Sequence, residues 1–112
     1  MTRIVFREGT EGFESFKVTG HSGYGEAGSD IVCAAVSILT TTCVNALETV
    51  AGIQAEIQVE DGLMKAYLPE NAGHDAQVIF GFLRQGLRDI ADEYPRYLQL
   101  TEKKIIGGSK QC

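Results

Sequence analysis

Two residues of this 112-residue chain, Cys33 and His21, have types and positions suited to covalent chemistry. We predict that a helix begins just after Asp30, which would make Cys33 its third residue. Unpaired backbone N–H groups and the helix dipole favour negative charge there, so a thiolate would be stabilised. The same N–H groups are suited to holding the oxyanion of an attacked carbonyl.

His21 lies twelve residues before Cys33, at the other end of a glycine-rich loop. A loop of this length can fold back and place the imidazole beside the sulfur, where it would accept the thiol proton. Asp30 would orient His21 or only cap the helix, and Ser37 would bond near the sulfur or back to the Cys33 carbonyl. Spacing alone favours a simpler interpretation, in which Cys33 is a core residue and His21 a solvated one.

Two other sites compete for the same segment. Residues 23–28 read Gly-Tyr-Gly-Glu-Ala-Gly, which fits the dinucleotide-binding fingerprint, but the loop is acidic and the strand before it belongs to a hairpin. A mixed metal site would use His21, Glu26, Asp30 and Cys33, a spacing that matches no zinc pattern. We therefore expect no cofactor and no metal.

Composition limits the classes of protein and partner. The net charge of −5 argues against a sequence-independent nucleic-acid binder and favours a cationic partner. Three cysteines without a Cys-x-x-Cys pair, and an N-terminus without an apolar signal, predict free thiols in the cytoplasm. Uninterrupted apolar runs are far shorter than the roughly 18 residues of a membrane span. Cys43 and Cys112 have no histidine placed for them and receive no catalytic role.

The elements that must position these residues follow the order ββαββα(β). Alternating patterns predict hairpins over 3–19 and 53–68, the second with its turn at Asp61-Gly62. Helices are predicted at about 31–51 and 72–93, with a possible fifth strand over 97–106. The fold class is therefore α+β, an antiparallel sheet with both helices on one face. Residues 1–106 form a single domain, and 107–112 form a tail.

The pair Gly20-His21, followed by Asp30-Ile31-Val32-Cys33-Ala34-Ala35-Val36-Ser37, resembles the signature of the ribosomal-processing cysteine protease (Prp) family. The resemblance runs through most of the chain and reverses the preference for the simpler interpretation. It implies a homodimeric cysteine endopeptidase that removes the N-terminal extension of a large-subunit ribosomal protein precursor, after hydrophobic residues. The family's base matches His21 and its nucleophile Cys33, while Gly20, Asp30 and Ser37 match other motif positions.

The alternative function is a non-catalytic ribosome-assembly or adaptor protein that holds a basic partner on its acidic surface. It would bind a precursor without cutting it. Neither function calls for a membrane or for direct contact with nucleic acid.

Overall fold

The computed structural model describes residues 1–20 and 27–104, with side chains from residue 31 onward in the first helix. Five strands form one sheet in the order β3-β4-β2-β1-β5. The strands are β1 (Thr2–Gly9), β2 (Gly12–Thr19), β3 (Glu56–Glu60), β4 (Leu63–Tyr67) and β5 (Leu98–Lys104), and the helices are α1 (Ala27–Thr49) and α2 (His74–Glu93). The predicted α+β fold class and element order are confirmed. The glycine-rich loop at 21–26 and the tail lie outside the described residues.

The predicted antiparallel pairing holds for the two hairpins but not for the whole sheet, which is mixed because β5 pairs with β1 in parallel. The other pairs, β1–β2, β2–β4 and β3–β4, are antiparallel as the hairpin signals predict. A parallel partner needs a long crossover, and α2 supplies it between β4 and β5. Helix α1 connects β2 to β3 at one edge of the sheet, and α2 connects β4 to β5 at the other edge. The strands β2 and β4, from which the two connections start, are antiparallel. Because crossovers between parallel strands are right-handed, both helices are expected on the same face of the sheet.

A β-bulge in the first hairpin decides which aromatic side chains enter the core. Arg7 pairs with Ser15 but Glu8 pairs with Phe13, so Glu14 is the extra residue. Strict alternation would place Phe13 and Phe16 on opposite faces of the sheet. With the bulge, both point toward the helices and both are buried. The alternation predicted along this strand is therefore wrong before Ser15.

Four phenylalanines form the centre of the core. The Phe80 ring of α2 lies 5.4 Å from Phe16, 5.8 Å from Phe13 and 6.2 Å from Phe6, centroid to centroid. Edge and tilted contacts at these distances add to the free energy of burying the rings. This cluster fixes α2 on the middle of the sheet.

An ion-pair network fastens α2 to the edge strand β5. Arg84 and Arg88 both contact the Glu102 carboxylate, and Arg84 also lies 3.6 Å from Glu8 and over the Phe13 ring. Partial burial alone would raise the pKa of Glu102, but hydrogen bonds and charge from Arg88 and Arg84 hold that pKa below its usual value. These contacts thus hold the parallel strand β5 against α2, the helix that precedes it in the chain.

Helix α1 combines a buried face with an unusually apolar outer face. Val32, Val36, Cys43 and Leu47 enter the core. The Thr40 hydroxyl donates to the Val36 carbonyl at 2.8 Å, so the three consecutive threonines do not break the helix. Over Ile31–Thr49 the helix is long and apolar enough to cross a membrane by length and composition alone, although part of it is core.

We predict that Phe80→Ala lowers the free energy of unfolding by about 3–5 kcal/mol, because it empties the centre of the aromatic cluster. Urea denaturation followed by far-UV circular dichroism measures the loss. Phe82→Ala is the matched control, since Phe82 lies on the same helix and is 75% exposed. Its effect should stay within about 0.5 kcal/mol. Equal losses for the two variants would contradict the packing described.

Candidate active site

Cys33 lies on α1, but deeper in the helix than its sequence context predicts. The helix begins at Ala27, so Cys33 is its seventh residue and Asp30 lies inside the helix. The predicted N-cap role of Asp30, and the first-turn position of Cys33, are therefore wrong. Once a helix has nucleated, each further residue adds a hydrogen bond at small cost, so the helix extends through Gly28 and Ser29 despite their low propensities.

This shift changes the expected oxyanion site. The unpaired N–H groups of a helix belong to its first four residues, here Ala27 to Asp30. Cys33 lies between about 4.5 Å (from Asp30) and about 9 Å (from Ala27) further along the axis, at about 1.5 Å per residue. Cys33 is thus one turn beyond the residues that carry the unpaired N–H groups and is not itself one of them.

The rotation of α1 about its axis determines where Cys33 points. Leu39, on one flank of the helix, packs so closely on α2 that a Cβ at Gly86 would lie 3.0 Å from its Cδ1. Val44 lies on the same flank as Cys33, three turns further on, and lines a cleft with Ile57 of β3. Cys33 is therefore half-buried on the flank that faces the β3 edge of the sheet, away from α2.

Cys43 is excluded as a nucleophile by its surroundings. Its side chain is 5% exposed within the hydrophobic core. Burial raises the pKa of the Cys43 thiol to about 12, so it stays protonated at neutral pH. The structure thus separates two cysteines that the sequence shows on one helix, and Cys33 is the accessible one. Cys112 lies outside the described residues.

Gly20 has a backbone role at the point where the chain leaves β2. Its N–H donates to the Gly62 carbonyl at 3.0 Å, and its φ of +83° is in the left-handed region. A Cβ at this position would lie 2.6 Å from the carbonyl oxygen of Met1. Glycine is therefore required for the direction in which the chain continues toward His21, which itself lies outside the described residues.

The remaining candidates are placed only in part. Ser37 is exposed one turn after Cys33, and its backbone carbonyl accepts a 3.3 Å hydrogen bond from Thr40. The Asp30 side chain lies outside the described part of the structure, so its relation to His21 stays a prediction. The metal set His21, Glu26, Asp30 and Cys33 has only Cys33 among described side chains. No cluster of three or more His, Cys, Asp or Glu occurs in the described residues.

A large cleft in the described part of the chain does not contain Cys33. It has a volume of about 1040 Å³ and lies between the β1–β2 turn and the loop that precedes α2. His74, the first residue of α2, is exposed and lines this cleft. Phe13 and Tyr67 also line it. His74 therefore belongs to a cleft that Cys33 does not line.

Comparison with known proteins identifies the family of the chain. The family model described as cysteine protease Prp matches residues 1–99. The chain belongs to this family. It is 30% identical over 107 residues to the ribosomal processing cysteine protease Prp of Bacillus subtilis, covering 90% of this chain and 96% of the relative. The Staphylococcus aureus Prp is 30% identical over 86 residues, 75% of this chain and 81% of the relative.

Solved structures share the whole fold. A Streptococcus mutans protein superposes with a TM-score of 0.86 at 32% identity, covering 94% of this chain and 96% of the other. The S. aureus Prp in complex with a substrate peptide superposes with a TM-score of 0.85 at 25% identity, covering 92% and 100%. The same Prp with a covalently linked product peptide also has a TM-score of 0.85, at 26% identity.

The family decides between the interpretations that the sequence left open. A Prp is a cysteine-type peptidase, so the chain is a hydrolase with a peptide substrate, and the non-catalytic adaptor is not supported. The dinucleotide fingerprint also lacks its context, because β4 lies between β2 and β3 and separates the two strands that α1 connects.

We predict that Gly20→Ala destabilises the chain by more than the roughly 1–2 kcal/mol that a left-handed alanine costs, because its Cβ also meets the Met1 carbonyl. Gly52→Ala is the matched control, with a φ of +68° and nothing within 4 Å of the added Cβ. Thermal unfolding of both variants measures the difference. A Gly20→Ala loss no larger than that of Gly52→Ala would show that the close approach has no effect.

Proposed function

We propose that the chain is an endopeptidase that removes the N-terminal extension of a large-subunit ribosomal protein precursor, with Cys33 as nucleophile and His21 as general base. The observation that carries the proposal is the contrast between the two cysteines of α1, one accessible and one buried with a pKa of about 12. The relatives' name, ribosomal processing cysteine protease, supports the substrate class.

The proposed reaction has two stages. His21 takes the Cys33 proton, the sulfur attacks the carbonyl carbon of the scissile peptide bond, and a tetrahedral intermediate forms. The intermediate collapses as His21 protonates the leaving amine, which departs with the mature protein. Water, deprotonated by His21, then attacks the thioester and releases the extension as an acid while the thiol is restored.

Charge and redox chemistry support the substrate and the compartment. A chain with a net charge of −5 attracts a basic precursor over a range of several ångströms at physiological salt. The Cys33 thiol must stay reduced to act, which fits the cytoplasm, where ribosomal proteins are made. Hydrophobic residues before the cleaved bond would find apolar surface on the β3 side, where Ile57 is 36% and Val59 is 64% exposed.

Cleavage of a precursor peptide by matched variants tests the assignment. The peptide carries a basic mature segment after an extension that ends in a Phe-Phe pair, and mass spectrometry identifies the products. We expect one cut by the wild type, none by Cys33→Ala, and almost none by Cys33→Ser, because a hydroxyl is the weaker nucleophile without a matched base. His21→Gln should be slower by about 10²-fold or more.

Cys43→Ala is the control, since it removes the other thiol of the same helix without touching the proposed site. Its rate per folded molecule should stay within about twofold of the wild type. Cleavage by Cys33→Ala, or its loss only in Cys43→Ala, would overturn the assignment. Circular dichroism of each variant establishes that it is folded.

The outer face of α1 supports a homodimer. Ile31 is 55% and Ile38 is 67% exposed on it, and no charged residue occurs from Ile31 through Leu47. Exposed apolar surface of this kind marks contact with another molecule. In a dimer with two-fold symmetry, the same helix face of each copy can contact the other copy, so no different protein is needed to cover it. We therefore place the contact between copies on this face.

Ile38→Glu should convert the dimer to a monomer, because it places a charge in the centre of the apolar contact. Sedimentation equilibrium over a range of concentrations measures the change. Phe82→Glu, on the exposed face of α2, is the matched control and should leave the dimer intact. A wild type that stays monomeric at all concentrations, or dissociation by Phe82→Glu alone, would contradict this placement.

A further inference from the structure

The outer face of the sheet, away from both helices, carries a concentration of positive charge that the acidic composition conceals. Five of the nine Lys and Arg residues in the described ranges lie on this face, namely Arg3, Arg7, Lys17, Lys65 and Lys103. Lys65 is half-buried and the others are exposed. Within the described residues none of the five forms a salt bridge, whereas Arg84 and Arg88 are neutralised by carboxylates.

Two pairs of these cations lie directly opposite each other in the sheet. Lys17 faces Lys65 across β2 and β4, and Arg7 faces Lys103 across β1 and β5. Like charges in this relation destabilise a sheet. Two such pairs on one face are therefore a cost to folding, and an anion bound over them would offset the repulsion.

An exposed aromatic ring lies among the same residues. Tyr67 is 39% exposed and faces Ser15, which in turn faces Arg7. Sheets that bind single-stranded RNA combine these two features, because a base stacks on the ring while nearby cations contact the phosphates.

The carboxylates of this face lie at its margins. Glu56 and Glu60 are on the edge strand β3, and Glu14, the extra residue of the bulge, is near the turn end of β2, where it lines the cleft with Arg7 and Tyr67. The centre of the face, over β4, β2 and β1, is thus positive although the chain as a whole has a net charge of −5. The net charge argues against a sequence-independent nucleic-acid binder, but it does not describe the charge of this one face.

We propose that the outer sheet face binds single-stranded RNA, with Tyr67 stacked on a base and the five cations along the phosphates. The inference goes beyond the peptidase function and does not depend on it. It predicts an RNA-binding surface on the opposite side of the sheet from α1 and Cys33.

Fluorescence anisotropy with a labelled oligouridylate of about 12 nucleotides tests the proposal, with KCl varied from about 50 to about 200 mM. The logarithm of the binding constant should fall linearly with the logarithm of salt, with a slope of about −0.7 per phosphate contacted. Tyr67→Ala should weaken binding about fivefold or more through lost stacking.

Lys65→Glu gives the sharpest result, because it should move binding and stability in opposite directions. It should weaken RNA binding about tenfold or more and make the salt slope shallower. It should also raise the Tm by up to a few degrees, since it replaces a like-charged pair with an opposite-charge pair beside Lys17. A variant that merely disrupts the fold would lower both binding and Tm.

Arg96→Glu is the control, since it makes the same charge change at an exposed cation away from this face. It should change binding less than about twofold. The proposal is overturned if the oligonucleotide does not bind at the lowest salt, or if Arg96→Glu weakens binding as much as Lys65→Glu. A change of oligomeric state in Lys65→Glu would also overturn it, by assigning the face to contact between copies. Cleavage of the precursor peptide, measured in parallel, should be unaffected by Lys65→Glu.

Discussion

The packing of Phe80 among the three phenylalanines of the first hairpin is the contact on which the candidate site depends. It fixes α2 over the middle of the sheet. Because Gly86 has no side chain, Leu39 can then approach α2 closely, and this contact sets the rotation of α1 about its axis. That rotation buries Cys43 and leaves Cys33 on the open flank. The position of the candidate nucleophile thus depends on aromatic packing elsewhere in the core.

Much of the fold could be predicted from local signals. The Asp61-Gly62 turn, which joins Glu60 to Leu63 with a positive φ at Gly62, is confirmed, as is the end of α2 at Glu93. These features depend on residues adjacent in the chain. The bulge at Glu14 and the parallel pairing of β5 depend on contacts between distant elements, so the alternation of one strand does not show them.

The predicted start of α1 just after Asp30 is the incorrect prediction that bears most on the chemistry. A good capping residue, Asp30, indicated a start that the structure places at Ala27. Capping preferences compete with the small cost of extending an existing helix, and a single sequence does not show which prevails. The accessibility of Cys33 therefore depends on the flank of α1 that it occupies and not on a position in the first turn.

The two cysteines of α1 show what the sequence could and could not decide about the site. Their separation of ten residues places them about 80° apart around the helix, close enough that periodicity does not tell which is buried. Core packing decides it, with Cys43 at 5% exposure. The signal for Gly20 was present as a glycine before a histidine, but the reason for it, a close approach to the Met1 carbonyl, is visible only in three dimensions.

In the proposed mechanism, the Cys33 sulfur forms the covalent bond to the substrate. Acid quenching of wild-type chain during turnover of the precursor peptide, followed by digestion and mass spectrometry, tests it most directly. We expect an acyl group, with the mass of the released extension, on the fragment that contains Cys33. Product accumulation with the acyl group on another residue, or with none on Cys33 at any quench time, would contradict it.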